Sequence, residues 1–110
     1  GTVIMAGVVI NASCNIGEFC ILNTNSSFDH DSVMDAFSSL APNVSTGGNC
    51  RIGRFSAINI GATLIHGIRI GEHTVVGAGS TVLRDVDSYC VSYGSPSVKA
   101  GQRKPGDKYL

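Results

Sequence analysis

Residues 48–82 read "GNCRIGRFSAINIGATLIHGIRIGEHTVVGAGSTV". Cut every six residues from Ile52, the stretch puts Ile52, Ile58, Leu64, Ile70, Val76 and Val82 at the head of each hexad. Ser56, Ala62, Ile68, Thr74 and Ser80 take the fifth place, and Gly53, Asn59, Gly71 and Gly77 recur at the second. Such a period is neither the one-face spacing of a helix nor the plain alternation of a half-exposed strand.

The same phase runs backward to Ile4 and forward to Asp87, fourteen hexads without an insertion. Thirteen of the fourteen heads are large and apolar, and Thr46 is the one that is not. The fifth places are small or β-branched, with Ile68 the one large residue among them, and ten of the second places are Gly, Asn or Asp. A large apolar group every sixth residue, with a small one four further on, suits a triangular prism. The large group fills the interior from a flat face and the small one fits a tight corner. Gly, Asn and Asp at the second place are expected to supply the positive φ of that corner. Three hexads make one 18-residue coil, and coils stack about 4.8 Å apart as parallel strands. The expected fold is therefore an all-β parallel β-helix of four to five coils over residues 1–87, with a turn and tail over 88–110.

The bulk composition agrees with a core built by stacking. The chain has 110 residues, 6% aromatics, no Trp and 14 glycines, so few large side chains are available to bury. The formal charge is zero, which argues against nucleic-acid binding and against a polybasic membrane contact. No apolar run approaches the roughly 18 residues of a membrane-spanning helix. Cys14, Cys20 and Cys50 fall on the small inward place, where a free thiol acts as a small hydrophobe. Free thiols point to a reducing cytoplasm.

The repeat also sorts the histidines. His30 and His66 are both third in their hexads and lie 36 residues apart, which is two coils. They share one column, about 10 Å apart along the axis, with Gly48 between them. His73 is fourth in its hexad and belongs to the next corner. His30 stands inside "DHD", between Asp29 and Asp31. Three readings of that triplet are open. It is a solvated turn, a metal site, or a general base whose tautomer Asp31 fixes through one ring nitrogen while the other takes a proton. No G-x-S-x-G elbow is present, so acyl chemistry here favours direct transfer over a covalent serine intermediate.

"DHD" followed by "SVMDAFSSLAPNVSTGGNCRIG", then "IGATLIHGIRIGEHTVVGAGSTVLRDV" and "YGSPSVK", resembles the acetyltransferase domain of bacterial sialic-acid O-acetyltransferases. It is similar also to the nucleotide-amino-sugar N-acetyltransferases. The resemblance spans roughly residues 1–99 and implies the left-handed form of the β-helix. It implies a homotrimer with active sites between subunits, acetyl-coenzyme A as donor, and a sugar or sugar nucleotide as acceptor. His30 falls on the family's base and Asp31 on the acidic residue that assists it. Gly48 falls on the amide that faces the thioester carbonyl. Ser39, Ile60, Arg69 and Ala78 fall on positions that touch the coenzyme. Some relatives carry a histidine where this chain has Ser39. Gly94-Ser95-Pro96 resembles the C-terminal turn, and Lys99, Arg103 and Lys104 after it are candidates for the coenzyme phosphates. Full-length relatives carry an N-terminal α/β domain for the sugar nucleotide, and no such pattern precedes Ile4.

Two other functions remain in view. A zinc enzyme of the γ-carbonic anhydrase type has two histidines two coils apart, as His30 and His66 are. It needs a third histidine five residues after the second, where this chain has Gly71, so no metal ligands are assigned. The other is a non-catalytic trimeric β-helix scaffold.

Overall fold

The structure is a computed structural model that describes residues 1–104. Its strands are two residues long through most of the chain and fall into three parallel sheets. Sheet A stacks 3–4, 21–22, 39–40, 57–58 and 75–76; sheet B stacks 9–10, 27–28, 45–46, 63–64 and 81–82; sheet C stacks 15–16, 33–34, 51–52 and 69–70. Val3 pairs Ile21, Ile21 pairs Ser39, Ser39 pairs Ala57 and Ala57 pairs Val75, a constant step of one 18-residue coil. The chain is a left-handed β-helix of hexapeptide repeats, and the backbone groups of each coil hydrogen-bond to the next coil.

Each flat face contributes its hexad heads to the interior. Leu22, Phe28, Met34, Leu40, Ile52, Ile58, Leu64, Ile70, Val76 and Val82 are all buried. Ile4 and Ile10 hold the same inward place but remain exposed, because the first coil has a neighbour on one side only. The small places close the corners. Cys20 and Cys50 are buried, Cys14 is half-buried, and their thiols donate to carbonyls of the following coil: Asp29 at 2.9 Å from Cys14, Asp35 at 3.2 Å from Cys20, Ile65 at 3.2 Å from Cys50. Burial pushes the Cys50 thiol above its usual range, so it stays neutral and unreactive.

The corners themselves correct one expectation. The positive φ lies at the fourth place of the hexad, as at Asn25 (59°), Asp31 (57°) and Gly61 (69°), and not at the second. The second place is small for a different reason. A Cβ on Gly53 would stand 2.5 Å from the carbonyl carbon of Gly71, so the next coil's backbone passes too close for a side chain.

The corner between sheets C and A places rings at that left-handed position. Phe19, Phe37, Phe55, His73 and Tyr89 all have φ between 49° and 63°. They stack as one ladder, with centroids 5.2, 4.9, 4.8 and 5.0 Å apart and planes within 16° of parallel. A left-handed residue costs roughly 1–2 kcal/mol, and each stacked neighbour returns roughly 0.5–1.5 kcal/mol. Each stack is shared by two rings, so the ladder offsets part of the strain of its residues.

The repeat ends earlier than its sequence phase suggests. Val86 pairs with Ile70 and Val91 with Val75, a step of sixteen residues instead of eighteen. The turn after Val82 is thus two residues short, and Val86 enters the next strand position instead of a corner. The Asp85 carboxylate accepts from the Arg69 N–H at 2.8 Å. Cys90–Gly94 then joins sheet A beside Val75 and folds back on Ser97–Gln102 as an antiparallel hairpin. The tail expected over 88–110 includes residues 105–110, which lie outside the described residues. Among the described residues no helix is long and apolar enough to cross a membrane.

Candidate active site

The corner between sheets B and C carries Ala12, His30, Gly48, His66 and Arg84 at its third places. The sequence placed both histidines in this column, and the structure does the same. Asp29, His30 and Asp31 form the turn of the second coil. His30 Nδ1 lies 3.1 Å from Asp31 Oδ2, and both side chains are about half exposed. An imidazole held there by its δ nitrogen keeps Nε2 as the position for a proton.

The turn is fixed from behind. Asp29 Oδ1 accepts from the Asn11 side-chain amide at 2.6 Å and from the His30 N–H at 2.8 Å. Those two donors, the Asn11 amide first, hold the Asp29 carboxyl below its ordinary range. The Asp29 N–H in turn donates to Thr46 Oγ1 at 3.2 Å. The equivalent N–H groups of Asn11 and Gly47 donate to backbone carbonyls instead. Thr46 is the one polar hexad head, and its hydroxyl takes the place of a ladder carbonyl directly before the histidine. The hexad pattern marks Thr46 as the exception but does not display the bond it makes.

Gly48 is where the column opens. A Cβ there would lie 2.5 Å from both Cε1 and Nε2 of His30, so the ring occupies the space that any side chain would fill. Gly48 is buried under that ring. Its N–H donates to no group among the described residues. Gly47 clears the other side, since a Cβ there would meet the His66 backbone nitrogen at 2.7 Å.

The remaining expected residues sit elsewhere. Ile60 and Ala78 project from the corner between sheets A and B and line one apolar depression of about 260 Å³ with Asn59 and Tyr93. Ser39 is half-buried in sheet A. Arg69 lies on sheet C, in a groove of about 380 Å³ with Asp35, Arg51, Glu72, Asp85 and Asp87. One chain thus brings together His30, Asp31 and Gly48, and separately Ile60 and Ala78, but does not join these two groups to each other or to Ser39 and Arg69. Arg103 is not available to a phosphate: it is 8% exposed and its guanidinium donates to the His73 carbonyl at 3.3 Å. Lys99 and Lys104 are exposed. Among the described residues no three His, Cys, Asp or Glu side chains converge as a metal site.

The family model "Bacterial transferase hexapeptide (six repeats)" matches residues 49–84. That match shows the hexapeptide repeat of this family over the middle of the chain. Among hexapeptide-repeat proteins the chain is 30% identical over 99 residues to the acyl-[acyl-carrier-protein]–UDP-N-acetylglucosamine O-acyltransferase of Pseudomonas paraeruginosa, a match over 88% of this chain and 38% of the relative. The acetyltransferase domain of PglB from Neisseria gonorrhoeae, solved in complex with acetyl coenzyme A, superposes with a TM-score of 0.89 at 32% identity, over 90% of this chain and 48% of that one. A histidine-to-alanine variant of GDP-perosamine N-acetyltransferase from Caulobacter crescentus, in complex with CoA and GDP-perosamine, gives 0.87 at 33% identity, over 92% and 51%. This hexapeptide-repeat chain therefore spans between a third and about half of the relatives it matches.

Proposed function

We propose that this chain transfers an acetyl group from acetyl-coenzyme A to an amine or hydroxyl of a sugar or sugar nucleotide, by direct attack. The observation that carries the reading is the His30 ring, tied to Asp31 through Nδ1 and lying over a residue without a side chain. His30 Nε2 takes the proton of the acceptor as the acceptor attacks the thioester carbonyl. Asp31 holds the tautomer and stabilises the imidazolium that results. The Gly48 N–H donates to the oxygen on which negative charge develops. The acetyl coenzyme A bound in one solved relative and the CoA bound in the other support acetyl-coenzyme A as donor, and GDP-perosamine in the second supports an amino-sugar nucleotide as acceptor.

The proposed assembly is a homotrimer. Ile60 and Ala78 stand on a different corner from His30, so a seam between two copies supplies both the base and an apolar channel for a pantetheine arm. Ser39 and Arg69 face the donor in this arrangement, as the family resemblance implies. The test is His30→Ala, assayed by release of free CoA thiol with amino-sugar nucleotides as acceptors. Turnover should fall at least about a hundredfold with the oligomer unchanged by light scattering. Turnover equal to that of the unsubstituted protein overturns the proposal.

A further inference from the structure

His66 is the second imidazole of the open column, and nothing above has given it a role. Its ring centroid lies 6.3 Å from that of His30, tilted by 48°. Residues two coils apart are separated by about 10 Å along the axis. The two rings therefore lean toward each other across Gly48, whose missing side chain leaves room for the His30 ring. His66 is exposed, and among the described residues its ring nitrogens have no hydrogen-bond partner; its ring contact is with His30.

The axial order is His30, then Gly48, then His66. A tetrahedral carbon whose oxygen points to the Gly48 N–H has two other reacting substituents. The entering atom is on the side of His30, because that is the atom that loses its proton to Nε2. The leaving sulfur then falls on the opposite side, toward the next coil. The apolar depression at Ile60 and Ala78 lies in those later coils, so a pantetheine arm approaches from the same end.

We propose that His66 is a catalytic residue that donates a hydrogen bond from its ring N–H to the sulfur of the donor as the thiolate departs. The inference rests on the acetyl-transfer reading of this site. In the step, the bond from acceptor to carbonyl carbon forms and the carbon–sulfur bond breaks. The acceptor's proton goes to His30 Nε2, and the bonding pair leaves on sulfur. His66 keeps its proton and stabilises the thiolate through a charge-assisted hydrogen bond.

The test is equilibrium binding of CoA and of desulfo-CoA, which lacks the sulfur, to the intact assembly by calorimetry. The unsubstituted protein should prefer CoA by about threefold to tenfold. His66→Ala should bring that ratio to about one, and His66→Gln, which keeps an N–H donor, should restore part of it. Imidazole resonances of His66 should move on adding CoA and remain in place with desulfo-CoA. A preference for CoA that is unchanged in His66→Ala overturns the assignment of His66 while leaving the acetyl-transfer reading intact. Failure of the unsubstituted protein to bind either ligand at millimolar concentration overturns that reading, and this inference with it.

Discussion

Two corners of one prism use the same hexad turn for opposite ends. Between sheets C and A the fourth places carry five rings in an unbroken stack. Between sheets B and C the third places carry two imidazoles separated by a glycine. In the first corner the three inner rings, Phe37, Phe55 and His73, are stacked on both faces, so those faces are used up within the chain. In the second the column is interrupted at Gly48, the His30 ring leans into the space left there, and His66, among the described residues, keeps a ring contact with His30 and no other ring. A side chain missing from a stack is thus as informative as one present. The difference between packing and chemistry on this scaffold lies at residue 48.

The sharpest way to break the comparison is to close the gap. Gly48→Ala puts a methyl group 2.5 Å from the His30 ring, which must swing away from Asp31. A misplacement of about 1 Å costs on the order of a hundredfold in turnover. The fold should tolerate the change, because the methyl meets a half-exposed side chain and not backbone. Thermal unfolding within a few degrees of the unsubstituted protein, with turnover lost, is the expected result. Full turnover would mean that the His30 position seen here is not the working one.

The opposite corner should respond in stability and not in turnover. Phe37 has stacked neighbours on both sides and is 44% exposed. Phe37→Ala removes both stacks and keeps the strained φ of 63°, a loss of roughly 1–3 kcal/mol from two aromatic contacts. Phe37→Gly removes the same stacks but relieves roughly 1–2 kcal/mol of left-handed strain. Glycine should therefore be the milder substitution, the reverse of their order in an ordinary strand. Denaturant midpoints of the two variants decide it, and turnover per folded site should be unchanged in both. Equal midpoints would show that the ladder is not balancing backbone strain.

Much of this contrast was legible from residue numbers. The hexad heads announce themselves because an interior one ring wide accepts only a narrow range of shapes, and coil arithmetic then puts residues 30, 48 and 66 in one column. The hand was carried by family resemblance, since a period of six is compatible with either sense of winding. The place of the positive φ was misread. Gly, Asn and Asp at the second position suggested backbone strain, whereas glycine there is a response to the neighbouring coil's backbone, which a one-dimensional pattern does not display. The six-residue phase puts Val86 at a corner, since valine suits both places, and a two-residue contraction of the last turn is invisible in it. The separation of Ile60 and Ala78 from His30 also follows from the coil count, but joining them requires a second copy of the chain.

The smallest effect concerns what holds the histidine's turn in place. Asn11 and Asp29 are one coil apart, and their contact at 2.6 Å, with the His30 N–H, holds the Asp29 carboxyl below its ordinary value. A carboxylate whose pKa is lowered by folding contributes its stability in full above the unfolded value, about 3.9. That contribution is lost as pH falls through the lower folded value. The pH window is thus acidic, below about pH 4, and the site is indifferent to it near neutrality. Asp29→Asn keeps an oxygen that accepts from Asn11 and from the backbone but has no carboxylate to protonate. Urea midpoints taken from pH 7 down to pH 3 should fall more steeply for the unsubstituted protein than for the variant, with the two curves converging in acid. Parallel curves would show that Asp29 positions the turn by shape alone.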